Sequence, residues 1–267
     1  MKTSANPNFI RFCKLMKKQL ITLLLLASLP AHAIVNLDEI HSRDVELGLN
    51  GALGINFSGS KGNSDETNTQ LSAQLQWGAE THSDILMVSY HYGEANGQLN
   101  NDNAFIHLRH IQKMDAIFSW ELFTQLQNDR FARLSLRALV GGGLRYKWAE
   151  TDNRVILGAG AFYEQERIDD TSLQVDEPRE HRNWRGNFYG IFSHTINPQS
   201  RLFGTLYFQP RFSEASDYRL LLQSGIKVAV AKQLDLVFGL DATYDNKPPL
   251  TVERYDINYR SGLEYTF

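Results

Sequence analysis

From residue 45 onward the chain alternates between apolar and polar positions. In 45–58 the odd positions are Val45, Leu47, Leu49, Gly51, Leu53, Ile55 and Phe57, and the even ones Glu46, Gly48, Asn50, Ala52, Gly54, Asn56 and Ser58. Successive strand residues point to opposite faces, so a period of two predicts a strand with one greasy and one wet side. The span 66–79 repeats the pattern, with Leu71, Ala73, Leu75 and Trp77 against Gln70, Ser72, Gln74 and Gln76. In 132–148, Leu134, Leu136, Ala138, Val140, Leu144, Tyr146 and Trp148 oppose Arg133, Ser135, Arg137, Arg145 and Lys147. The same reading places further strands at 84–94, 103–113, 116–127, 154–166, 182–195, 201–212, 217–230, 233–245 and 253–267. Most of these spans reach the roughly 9–11 residues that a tilted strand needs to cross a bilayer.

A soluble sandwich alternates too, but its inner face is a dry core. Three arginines and a lysine on one face of a strand whose other face is apolar fit a barrel that turns apolar residues to lipid and charges to a wet lumen. The fold predicted is therefore all-β: a single antiparallel transmembrane β-barrel of about twelve strands over 45–267, in the outer membrane of a Gram-negative bacterium. An even number of strands brings both ends of the barrel to one side, the periplasm. Short connections are expected there, near 81–83, 114–115, 151–153, 197–200 and Lys232. Longer ones are expected outside, at 59–65, 95–102, 167–181, 213–216 and 246–251, with the short 128–130 as the exception. Trp77, Trp120, Trp148, Tyr265 and Phe267 then fall near the periplasmic interface, and Tyr90, Tyr92, Tyr163, Trp184 and Tyr244 near the outer one, as two aromatic girdles.

Bulk composition agrees with this picture only once alternation is considered. Mean hydropathy is −0.35, a soluble value that a chain with every second residue facing lipid also gives. The formal net charge of −3 leaves no dominant basic stripe, so nucleic acid is excluded as the main partner. The first apolar run, 21–29, follows Lys14, Lys17 and Lys18 and precedes Ala31-His32-Ala33. It is too short to span a bilayer and fits a signal peptide over 1–33, cleaved after Ala33, with Ala31 and Ala33 as the small residues of the site. Met16 is a second candidate start. Residues 34–44 are expected to form a periplasmic N-terminal segment. The single cysteine, Cys13, lies upstream of this run, so the mature chain would carry no thiol.

The chain ends Arg260-Ser261-Gly262-Leu263-Glu264-Tyr265-Thr266-Phe267. This resembles the C-terminal signal of outer-membrane proteins: a polar residue (Arg260), a glycine two later (Gly262), and aromatic residues at the antepenultimate and final places (Tyr265, Phe267). The resemblance implies the barrel-assembly machinery as a partner, alongside outer-membrane lipid and lipopolysaccharide. Other stretches carry a likeness to a family. They are Gly62-Asn63, Tyr92-Gly93-Glu94-Ala95-Asn96-Gly97, Asn128-Asp129-Arg130-Phe131, the glycine-containing strand 137–146, and Asp245-Asn246-Lys247-Pro248-Pro249. Over 47–267 the chain is similar to the salt-induced outer-membrane proteins, a group defined by a domain of unknown function. The resemblance implies a barrel in the outer membrane, a link to salt or envelope stress, and no established activity.

Candidate chemistry lies on the inward face. Arg133, Arg137, Arg145 and Lys147 project from one strand, Arg154, Glu164 and Glu166 from the next, and Glu121 from the one before. They read either as an ion-pair network filling a modest barrel or as a narrow channel whose basic constriction favours anions. The alternative from another class is an outer-membrane hydrolase, phospholipase-like or omptin-like, with a site near the outer rim. Ser193-His194 is the nearest Ser/His pair, but alternation puts only His194 outward and the segment at the periplasmic end. Asp169, Asp170 and His181 lie in the outer loop without a recognisable spacing. No enzyme, cofactor or metal site is expected: His82, His91, His107, His110, His181 and His194 are scattered, although His91 and His107 could face the lumen on adjacent strands. Gly141-Gly142-Gly143 is followed by no helix, so it is not a phosphate loop, and glycines there let a strand bend or neighbours approach.

Overall fold

A computed structural model of the chain describes residues 47–61, 65–169, 175 and 177–267. The signal peptide with Ala31 and Ala33, the segment 34–44, Gly62-Asn63 and Asp170 lie outside the described residues. The described residues form twelve strands. They are β1 (Gly48–Ser60), β2 (Glu66–Gly78), β3 (His82–Ala95), β4 (Gln98–Lys113), β5 (Phe118–Asp129), β6 (Leu134–Ala149), β7 (Asn153–Ile168), β8 (Glu180–Asn197), β9 (Ser200–Arg211), β10 (Glu214–Ala231), β11 (Leu234–Asp245) and β12 (Tyr255–Thr266). Every strand pairs antiparallel with its sequence neighbours, and β12 pairs with β1, so the sheet closes into a barrel. Closure satisfies the two edges that an open sheet would leave unpaired.

Gly51 and Phe267 complete the seam by exchanging both backbone hydrogen bonds, at 2.9 and 3.0 Å. The rim that holds Gly48 and Phe267, called here the terminal rim, carries short turns between strands. Its Asp115 carboxylate accepts the backbone N–H groups of Ile117 and Phe118, each at 2.7 Å. Those local bonds hold the exposed Asp115 carboxyl below the usual aspartate range. The opposite, loop rim carries the two long connections, 169–179 and 246–254.

The predicted faces hold along most strands. Leu49, Leu53, Ile55 and Phe57 point out, as do Leu136, Val140, Leu144 and Trp148, whereas Gln70, Gln74, His91, His107 and Arg137 are buried inside. Aromatic contacts run along the outer surface from Phe188 through Phe208 and Tyr218 to Tyr244, and Tyr163 packs on Trp184.

Three details depart from the sequence reading. The stretch 95–102, read as an outer loop, is a tight hairpin. Asn96 and Gly97 both adopt positive φ, 52° and 73°, the two-residue turn that matches strand twist. Likewise β10 begins at Glu214 rather than 217, so that connection is also a short turn. Finally, Leu134 faces inward, not outward, and Ser135 outward, not inward. The pairing with β7 shifts between Leu134 and Leu136, and the bulge flips the alternation for residues before it. Ser135 Oγ donates instead to the Arg167 carbonyl at 3.0 Å.

Candidate functional site

The lumen holds two charged clusters at different heights. The first sits toward the loop rim. Glu164 on β7 is fully buried and receives Arg137 from β6 at 2.8 and 3.1 Å, Arg185 from β8 at 2.5 Å and Arg219 from β10 at 3.2 Å. Glu166, one inward position further along β7, receives Arg219 at 2.8 and 3.1 Å and Arg137 at 3.2 Å. Arg219 also reaches Asp245 at 2.7 Å, and Asp217 takes Arg185 at 2.8 Å and Arg211 at 3.3 Å. Arg219 therefore braces the barrel across its lumen, from β10 to β7.

The second cluster lies nearer the terminal rim. The Glu121 carboxylate on β5 receives Arg109 at 3.3 Å and Arg145 at 3.2 Å, and accepts the Tyr189 hydroxyl from β8 at 2.8 Å. The Arg109 guanidinium also stands 5.5 Å from the Phe123 ring centre, a distance at which a cation is attracted to the ring face. His107 bridges Arg109, at 3.2 Å, and Gln125, at 3.2 Å.

Between and above these clusters lies a cavity of about 760 Å³. It runs from the loops at the loop rim down to Arg109, Phe123, Tyr207 and Leu221. Three connections meet over its mouth. Arg133, held at φ 57°, pairs through its guanidinium with Glu177 and donates to the Leu250 carbonyl, while the Leu250 N–H donates to Glu177 at 3.2 Å. Toward the terminal rim the inward face carries packed apolar side chains. Ile85, Met87, Ile156, Ile191, Phe203 and Val237 project inward there, none more than 4% exposed.

Glycines make that filling possible. A Cβ at Gly158 would run into the Tyr189 ring, and one at Gly141 would lie 2.6 Å from both the Phe123 ring and the Ala161 carbonyl. Both rings thus lie over a position that has no side chain.

Of the residues singled out in the sequence, Glu121, Arg137, Arg145, Glu164 and Glu166 come together in the two clusters. Lys147 and Arg154 are half-buried on inward positions near the terminal rim, and Arg133 serves the mouth. Gly262, Tyr265 and Phe267 lie on β12 or just past it at the seam with β1, and the Arg260 backbone opposes Gly239. Ser193 points into the barrel and His194 out of it, where His194 bonds Asn153 at 2.8 Å, so the two do not form a pair. Arg109, Arg185, Arg219, Asp217 and Tyr189, all central to the clusters, are not among those residues. Each stands on an inward position of its strand, so alternation marks it as luminal. What alternation cannot give is which inward charges meet across the barrel.

A search among curated proteins found no match to this sequence. Among solved structures, the chain is similar to the NanC porin (TM-score 0.48, 13% identity, 82% of this chain and 100% of that one). It is also similar to the KdgM porin (TM-score 0.46, 13% identity, 82% and 99%) and to the β domain of the Bordetella autotransporter BrkA (TM-score 0.41, 13% identity, 82% and 97%). The family model described as "Protein of unknown function, DUF481" matches residues 53–267, and the chain belongs to that family.

Proposed function

We propose that this protein is a non-enzymatic outer-membrane barrel that works as a receptacle: a cavity open toward the cell exterior, closed at rest toward the periplasm. Orientation follows from the terminal rim, where the barrel's two ends and its short turns lie, as expected for the periplasmic side. The observation that carries the reading is the filled layer beneath the cavity, where Met87 is fully buried and Ile191 and Phe203 are each 2% exposed. Side chains packed to that degree leave no space for a hydrated ion. The charges above the layer support the same reading, since Arg137, Arg145, Arg185 and Arg219 all face carboxylates. A track of uncompensated arginines would instead favour anion passage.

Planar-bilayer recording of refolded protein tests this. The unmodified barrel is expected to be silent, and an Ile191→Gly/Phe203→Gly variant to show discrete openings. Steady openings of the unmodified protein at ordinary voltages would overturn the reading in favour of a constitutive channel.

A further inference from the structure

On the outer wall of the barrel, one stretch departs from the apolar band. Along β7 and β8 three cross-strand pairs point outward in succession toward the loop rim: Tyr163 with Trp184, Gln165 with Arg182, and Arg167 with Glu180. Tyr163 and Trp184 pack with ring centres 5.5 Å apart. Aromatic rings on a lipid-facing surface favour the headgroup level of a bilayer. Two further residues of strand add about 7 Å. Gln165 and Arg182 therefore stand within the polar margin of the bilayer, which is about 5–8 Å deep on each side.

Glu180 fixes the charges in place. One carboxylate oxygen receives Arg167 at 3.1 Å; the other receives Arg182 at 3.1 Å and the Gln165 amide at 3.4 Å. Two positive charges thus share one negative charge. A guanidinium has five N–H donors, and the Arg167 and Arg182 side chains are 45% and 60% exposed, so donors remain open to the membrane surface beside Glu180. Guanidiniums stay charged and match phosphate oxygens in pairs. An acyl chain joined to such a phosphate has an apolar surface to follow, past the exposed rings of Trp184, Phe188 and Phe208.

We infer that Arg167 and Arg182 bind a phosphate monoester carried on a lipid of the loop-rim leaflet, the chemistry of a lipopolysaccharide headgroup, with the Tyr163–Trp184 pair beneath it. The site lies on the outer wall and goes beyond the receptacle reading. It shares with that reading only the placing of the loop rim at the cell exterior, and neither silence nor conductance of the barrel bears on it.

Native mass spectrometry of the refolded barrel in detergent tests it. The probes are a lipid A with its phosphate monoesters, the same lipid with the phosphates removed, and a phosphatidylglycerol, whose phosphate is a diester. The phosphorylated lipid A is expected to be retained at least about fivefold more than either of the others, and less as ammonium acetate is raised. Arg167→Gln/Arg182→Gln is expected to lower that retention about fivefold, and Arg167→Lys/Arg182→Lys to restore part of it. Arg130→Gln removes an exposed cation from the neighbouring β5–β6 turn and is expected to leave retention unchanged. Heat-modifiable gel mobility checks the folding of each variant.

Equal retention of the dephosphorylated lipid, no loss in the double glutamine variant, or an equal loss in Arg130→Gln overturns the inference. Stronger retention of phosphatidylglycerol overturns the lipid class. Displacement of the bound lipid by excess inorganic phosphate assigns the site to a free anion and overturns the lipid as its ligand.

Discussion

The two halves of the lumen are built from the same alternation and end in opposite states. Toward the loop rim, the inward residues are long and charged, and they reach one another across open space: Arg219 spans from β10 to Glu166 on β7. Toward the terminal rim, Ile85, Met87, Ile191, Phe203 and Val237 point inward and are buried among their neighbours. Glu121 with its arginines and Tyr189, the Lys227–Glu264 pair and the Gln76–Ser83 hydrogen bond stand among them. The difference shows that a polar-looking face does not mean an open lumen. A long side chain that ends in a charge keeps distance from its neighbours and leaves room. A methyl or ring gains by dispersion and burial only when it closes that room.

The largest effect is expected where the roomy half depends on one residue. Glu164→Ala removes the carboxylate that Arg137, Arg185 and Arg219 share. Leaving three arginines with less compensation should cost about 3–5 kcal/mol. Denaturant unfolding in lipid vesicles measures it, and a loss below about 1 kcal/mol would mean that water or other carboxylates already carry those charges.

In the filled half the corresponding change is Met87→Ala. Its loss is a cavity effect of about 2–5 kcal/mol, measured in the same assay. If this variant proves as stable as the parent, the packed layer is looser than its burial indicates. The same measurement in both halves then states whether charge or packing holds the barrel more strongly.

The smallest effect concerns the terminal-rim turn. The folded Asp115 carboxyl titrates below the ordinary aspartate value, so its contribution is present above about pH 4 and fades as pH falls through the folded value. Asp115→Asn should therefore lower stability slightly near neutrality, leave it unchanged at the acid end, and so flatten the acid limb of the stability profile. An unchanged acid limb would show that the turn's two N–H bonds persist without the charge.

Much of the fold was legible in the chain. Alternation located all twelve strands, their order round the barrel and their faces, because lipid outside and water inside impose the period of two on every strand alike. Errors came where one residue disturbs that period. Leu134 was placed on the wrong face because the bulge at Ser135 has no mark in the hydrophobic pattern. The hairpin at Asn96-Gly97 did have a mark, the Asn-Gly pair favoured in two-residue turns, and a loop was read there instead. For the site, Glu121, Arg137, Arg145, Glu164 and Glu166 were found by their inward positions. Arg219 and Asp217 escaped notice, since the partners that tie them into the clusters, Glu166 and Arg185, lie two or more strands away in sequence.

By itself, then, the sequence determined the membrane-facing surface, the strand count and which residues look inward. Those are set by interactions with solvent and lipid, which each strand meets alone. Only the tertiary structure decided that the inward charges neutralise one another, that rings lie over Gly141 and Gly158, and that the lumen is roomy at one rim and filled at the other. Those depend on side chains from strands far apart in the chain meeting across a barrel whose closure fixes their heights.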